Sequence, residues 1–468
     1  MKRDRINFRG IIIVTIVAMG LAACSEDKVG VAPPTTVPNP NPGKQDSSTL
    51  IDTGPIDFTR FPDTYGNLAS AEQVYSWRHY NVHDPAVIDA RDFSSDPGNF
   101  FYSYSTDVSF GHAIRPGLQI RRSVNLVEWE FVGWVFNGLP SAGSSYITTN
   151  GGTPNNGLWA PYMQKVGDDY RLYYSLASNV GRLSCIGLAV SDDPRGPFQE
   201  RGIVVRSVPE GTHTNAIDPS NIVDQSGRHW MYYGSSWDGI YIMELDPETG
   251  LAKSSGDIGR RIAHRGFSDG IINGNIEGPE IIYNEEFGMY YLFIAYDWLE
   301  TKYNVRVGRS ASPEGPFLDM NGQDMNQFSD DLPMILAPYQ FSGHSGWQGV
   351  SHPGVYEKDG QYYISHQGRP GVNQFYMVMH TRQIFWTDDG WPMVSPQRFA
   401  LEDETPVTED ELVGSWEQIE FGYQVVPGFA NEQITPGFQV SKPLSIDAEG
   451  TINNNSNTSW TYDAPWLT

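Results

Sequence analysis

Short apolar and aromatic runs, broken by polar turns, recur along this chain, and no long segment with a helical 3.6-residue period interrupts them. Residues 164–175 (QKVGDDYRLYYS) and 356–366 (YEKDGQYYISH) each read as strand, polar turn, strand. Variants of one motif head five such stretches: His83-Asp84-Pro85-Ala86-Val87-Ile88, Trp159-Ala160-Pro161-Tyr162-Met163, Ile217-Asp218-Pro219-Ser220-Asn221-Ile222, Glu277-Gly278-Pro279-Glu280-Ile281 and Ser351-His352-Pro353-Gly354-Val355. Their prolines are spaced 76, 58, 60 and 74 residues apart. Units of this size, each holding about four strands, suit the blades of a β-propeller better than a helical solenoid, so the chain is expected to be all-β with five blades. A second recurring piece, at residues 123–130, 191–198 and 310–317, supplies the polar and Pro/Gly residues of outer blade hairpins.

Composition sharpens this picture. Aromatics make up 13% of the 468 residues, with 48 Gly and 32 Pro, a turn-rich and β-rich profile with many rings for a core or for sugar faces. A formal net charge of -25 argues against nucleic acid, which demands a basic footprint, and favours a neutral substrate. The N-terminus has a basic head (Lys2, Arg3, Arg5, Arg9), an apolar run over 10–21, and Leu21-Ala22-Ala23-Cys24. It resembles a bacterial lipoprotein signal (1–23) cleaved before Cys24, whose thiol then carries lipid. Cys185 is the one other cysteine, so no disulfide framework is expected. Residues 24–58 are rich in Pro, Ser, Thr and Asn and read as a tether, and the acidic Ser25-Glu26-Asp27 resembles export tags that send lipoproteins to the cell surface. The expectation is a monomer, lipid-anchored to the outer membrane and facing outward. The propeller then occupies 59–405. A β-rich module follows at 406–468, either a small accessory unit or one cut short.

In a propeller the innermost strand of each blade lines the central channel, and ligands sit at one mouth of it. The five motifs therefore aim His83 and Asp84, Trp159, Asp218, Glu277, and Ser351 and His352 into one funnel. An Asp before Pro is commonly a turn former, and Glu277 alone is an ordinary loop acid. Three acids at equivalent repeat positions, without basic partners, point instead to use.

His83-Asp84-Pro85, Asn215-Ala216-Ile217-Asp218-Pro219 and Ile276-Glu277-Gly278-Pro279 resemble the three acidic signatures of glycoside hydrolase family 43, over about residues 77–395. Within it the likeness is to arabinanases, through residues 120–123 (IRRS), 158–161 (LWAP) and 385–392 (FWTDDGWP). The resemblance implies an inverting hydrolase of α-1,5-linked arabinan or arabino-oligosaccharides from plant cell walls. Asp84 would be the general base, Glu277 the general acid, and Asp218 the residue that orients Glu277 and raises its pKa. Trp159 would lie beside the reacting sugar, with His83 and Asn215 as further substrate-binding candidates; Phe110, Trp237 and Tyr296 are weaker candidates for Trp159's role, with packing as the commoner use of such rings. His352 matches the family's channel histidine, which joins waters around a cation, commonly calcium, and no organic cofactor is implied. Here the usual Gly-His-Asn is Ser351-His352-Pro353, so a neighbouring polar group is missing. The alternatives are an exo-acting arabinofuranosidase or β-xylosidase on the same scaffold, and a non-catalytic glycan-binding surface lipoprotein, whose signature would be loss of one acid.

Overall fold

The structure, a computed structural model, describes residues 77–468 except 97, 109–113, 266, 269–270, 273, 328–331, 402–406, 423–432, 465 and 468. The leader, Cys24 and the tether lie outside the described residues. Five antiparallel sheets follow one another along the chain. Blade I runs through Ala86–Asp89, Phe101–Ser105, Gln119–Ser123 and Glu130–Trp134; blade II through Trp159–Val166, Asp169–Leu176, Ser184–Ser191 and Gln199–Ser207. Blade III holds Ser220–Val223, His229–Tyr233, Ile240–Leu245 and Arg260–Ala263, and blade IV Ile276–Asn284, Met289–Tyr296, Asn304–Ser310 and Met334–Leu336. Blade V holds Trp347–Lys358, Gln361–Pro370, Val378–Trp386 and Pro392–Val394. The first strands of the blades touch in the cyclic order I, II, III, IV, V and back to I. The five-bladed propeller is therefore closed, which removes exposed sheet edges at the axis.

The continuous apolar runs have a simple cause. A strand's side chains alternate between two faces, and in a propeller both faces meet another blade. In blade IV, Tyr290, Leu292, Ile294 and Tyr296 pack toward blade III, while Tyr291 and Phe293 pack toward blade V. Blade II does the same, with Leu172 and Tyr174 in the I/II core and Tyr173 in the II/III core. The V/I core, with Val82, Phe101, Trp129, Tyr356 and Tyr363, closes the ring. The segment before blade I is sewn onto blade V, where Met379 N–H donates to His79 O (2.8 Å) and Asn81 N–H to Met377 O (2.8 Å).

The recurring outer hairpins share one device. Ser123, Ser191 and Ser310 each accept, at 3.1 Å, a hydrogen bond from the backbone N–H two residues on. One element goes beyond the expectation: a helix at Ser141–Thr149 between blades I and II, which buries only Gly143 and Ile147 and carries little apolar periodicity. Beyond blade V, Gly414–Gln418 pairs with Lys442–Ile446 around a small core of Leu412, Ile446 and Trp460. Gln439–Val440 adds in parallel to Tyr339–Gln340 at the inner edge of the blade V sheet, so this β-rich module is joined to the propeller by backbone pairing.

Candidate active site

The residue before each motif proline has a positive φ: Asp84 (50°), Ala160 (30°), Asp218 (59°), Gly278 (57°) and His352 (57°). Proline disfavours the right-handed helical conformation in the residue before it, and here the chain takes the left-handed alternative five times. For the four non-glycines this costs roughly 1 kcal/mol or more each, which the packed ring must offset. The pairing register slips after Trp159, Glu277 and Ser351, a bulge that re-aims side chains where the strand enters the channel. The acids are thus not at one repeat position, as the motif alignment suggested. Asp84, Asp218 and His352 stand directly before the proline, whereas Glu277 and Trp159 stand one residue earlier.

These residues meet in a cavity of about 160 Å³ at the channel mouth, lined by His83, Asp84, Trp159, Asn215, Asp218, Glu277 and His352 among others. Trp298 and Phe375 add aromatic surface to the same cavity, and Arg369 a cation. Trp237 does not line it; its ring lies under the Arg182 guanidinium at 4.6 Å and is 37% exposed. Tyr296 is buried between Arg265 and Arg306, as a packing residue would be. Phe110 lies outside the described residues.

Asp84 is held on every side. Oδ2 accepts from Thr106 Oγ1 (2.6 Å) and faces His83 Nδ1 (2.7 Å), Oδ1 faces His352 Nδ1 (3.1 Å), and the backbone N–H donates to Gln367 Oε1 (3.0 Å). The Gln367 amide nitrogen lies 3.3 Å from His83 Nε2, so both ring nitrogens of His83 are engaged, Nδ1 by Asp84 and Nε2 by Gln367. Burial works to raise this carboxyl's pKa. The His352 and His83 imidazoles and the hydrogen bonds from His83 and Thr106 outweigh it, and Asp84 is held well below the usual carboxylate range. Burial lowers the pKa of His352.

Asp218 has the opposite environment. Its N–H donates to Ser175 Oγ (3.0 Å) and Oδ2 accepts from Gly278 N–H (3.2 Å). Burial, then the charges of Glu277 and Asp84, push its carboxyl well above the usual range. Glu277 Oε2 accepts from Ser235 Oγ (2.7 Å) and Oε1 from Tyr303 OH (2.8 Å). Burial and the surrounding carboxylates keep Tyr303 a neutral phenol. Ser235, Tyr303, Thr106 and Gln367, which hold Glu277 and Asp84, were not found by sequence reasoning, since none belongs to the repeated motif. The arrangement offers one ionised carboxylate and, on non-adjacent blades, a carboxyl pair that retains a proton, which is the division acid–base hydrolysis requires.

Among the described residues no three His, Cys, Asp or Glu side chains converge as a metal cage. His352, neutral and with Nδ1 turned to Asp84, leaves Nε2 as a single donor, so the site fits only a cation held mostly by water.

The chain is 27% identical over 441 residues to an extracellular endo-α-(1→5)-L-arabinanase of Thermotoga petrophila, covering 86% of each chain. It is 28% identical over 342 residues to an extracellular exo-α-(1→5)-L-arabinofuranosidase of Cellvibrio japonicus, covering 70% of this chain and 90% of that one. The crystal structure of an endo-1,5-α-L-arabinanase from Thermotoga petrophila superposes with a TM-score of 0.68 at 26% identity, covering 83% of this chain and 88% of that one. Residues 396–467 match the model of a C-terminal lipocalin-like domain found with these hydrolases. Residues 81–392, all of the propeller but the end of its last strand, match the model of glycosyl hydrolases family 43, and the chain is a glycoside hydrolase belonging to that family.

Proposed function

We propose that this hydrolase cleaves the α-1,5-L-arabinofuranosidic bonds of arabinan within the chain and inverts the anomeric centre. The observation that carries the reading is the opposed environment of carboxyls around one cavity: Asp84 held ionised, Asp218 beside Glu277 held protonated. Asp84 is the general base that takes a proton from the attacking water, and Glu277 gives a proton to the departing glycosidic oxygen. Asp218, bonded to the N–H of Gly278, orients the Glu277 turn and shares its proton with it. Base and acid come from blades I and IV, which are not neighbours, consistent with the separation of roughly 6.5–9.5 Å that leaves room for water in inverting enzymes. Trp159 offers a ring face to the sugar, with His83 and Asn215 beside it. The relatives' names support arabinan, and the endo-acting one matches over 86% of this chain against 70% for the exo-acting one.

The same reading includes the lipid on Cys24, which would hold a monomeric enzyme on the outer face of the outer membrane; fractionation of Cys24→Ser tests it, since retention in membranes removes the anchor. It also includes a calcium ion held by His352 Nε2 and waters, whose charge would order solvent at the base of the cavity. Metal analysis of the purified wild type and of His352→Ala tests that part.

The reading as a whole is tested on debranched arabinan. Wild type should release a ladder of oligosaccharides whose new reducing ends first appear as the inverted anomer by NMR. Asp84→Asn and Glu277→Gln should fold and lose at least about a hundredfold in rate. A single short product would replace the endo reading with an exo one, and full activity of either variant would remove the assignment.

A further inference from the structure

We propose that Gln433, contributed by the C-terminal module, is a positioning residue for the wall of the substrate cavity formed by residues 298–300. The proposal rests on the reading of that cavity as the arabinan site. Gln433 is 0% exposed although the next residue, Ile434, is 72% exposed, so burial ends abruptly after this side chain. Burying an amide is costly unless its hydrogen bonds are remade. Here Oε1 accepts from Trp298 N–H (2.6 Å), Nε2 donates to Asp297 Oδ1 (3.4 Å), and the Gln433 carbonyl accepts from the Thr301 hydroxyl.

Those three contacts fall on one short loop after the second strand of blade IV. Its outer points, Asp297 and Thr301, are fixed by other means too. Asp297 pairs with Arg265 (2.6 Å) and accepts from Asn304 Nδ2 (2.7 Å), and the Thr301 carbonyl accepts from Gly349 N–H of blade V (2.8 Å). The middle, Trp298, Leu299 and Glu300, faces the cavity. Of that middle, it is the Trp298 N–H that the Gln433 amide holds. From Trp298 the chain of contacts continues inward: its carbonyl accepts from Tyr303 N–H (3.0 Å), and Tyr303 OH donates to Glu277. The module therefore reaches a cavity-lining residue through the Gln433 amide. A change there should move the wall that meets bound sugars and leave the directly anchored Asp84 where it is.

Gln433→Met in the full-length protein keeps the side-chain length and removes both amide bonds. We expect KM for arabinohexaose and debranched arabinan to rise about tenfold, with kcat within about threefold and Tm within a few degrees of wild type. Thr301→Val, which removes only the hydroxyl that meets the Gln433 carbonyl, should raise KM about threefold and serves if Gln433→Met folds poorly. Unchanged KM in either folded variant, or a loss of rate that follows only a lost folded fraction, overturns the proposal. A wild type inactive on arabinan removes the substrate class instead, and the KM comparison is then made on the glycan the wild type does cleave.

Discussion

Asp84 and Asp218 share a backbone conformation, a following proline and deep burial, and differ in what faces them. Asp84 meets two imidazoles and a threonine hydroxyl, whereas Asp218 meets Glu277 and one backbone N–H. Neutral donors and potential cations favour the ionised form, and a second carboxylate disfavours it. Because Asp218 and Glu277 act on each other, the last proton of the pair belongs to both. This gives Asp218→Asn a definite sign. Asp218→Asn removes the carboxyl whose proton burial and the charges of Glu277 and Asp84 hold to high pH, so the alkaline limb of the activity profile should move down. The acidic limb reports Asp84, already held low, and should move less. A pH profile of kcat/KM decides the matter: both limbs in place with a raised KM would make Asp218 a sugar ligand and not a proton partner.

At the scale of the element, the working unit is the turn where each inner strand enters the channel. Gly278 is the sharpest case. Its φ is 57°, and a Cβ there would lie 2.9 Å from His352 Nδ1, the atom that faces Asp84. Gly278→Ala should therefore cost about 1–2 kcal/mol in backbone strain and crowding, and should lower kcat at least tenfold by pushing His352 off Asp84 and turning Glu277. Thermal melts and kcat measured together check this, and a variant with wild-type kcat would show that the turn tolerates a side chain. These turns were legible in the sequence because they repeat. Proline, acid and apolar run recur together, which placed Asp84, Asp218, Glu277, Trp159 and His352 around one axis. The one-residue offset of Glu277 and Trp159 can be counted from their prolines, but the slip in pairing register beside them was not legible, since only the paired strand defines it. Tyr303 and Ser235, on the third strand's approach in blade IV and the turn after the second strand of blade III, carry no motif, and their roles exist only through tertiary contact with Glu277. Trp237 had the right residue type but points to Arg182 instead, because an aromatic's destination is set by the loop that carries it.

For the whole molecule, the cavity depends on ring closure, because Asp84 and Glu277 come from blades I and IV, which are not adjacent in the ring. The cavity keeps its shape only while every interface holds. The V/I interface is where the last blade meets the first across the longest separation in sequence. Gly354, just after the motif proline of blade V, lies so close to blade I that a Cβ would sit 2.4 Å from the Pro85 carbonyl oxygen. That neighbour is backbone and cannot rotate aside. Pro85 also follows Asp84 directly, so any yielding of blade I is felt by Asp84. Gly354→Ala should cost about 1–3 kcal/mol of stability through overpacking. It should also lower kcat at temperatures far below the melt, where the protein is fully folded, because Asp84 moves with Pro85. Calorimetry and kcat at low temperature separate the two effects. A lower Tm with unchanged kcat would mean that blade V yields and Asp84 stays. No change in either would mean that the V/I approach is loose enough to take a methyl group, and that ring closure does not set the position of the base.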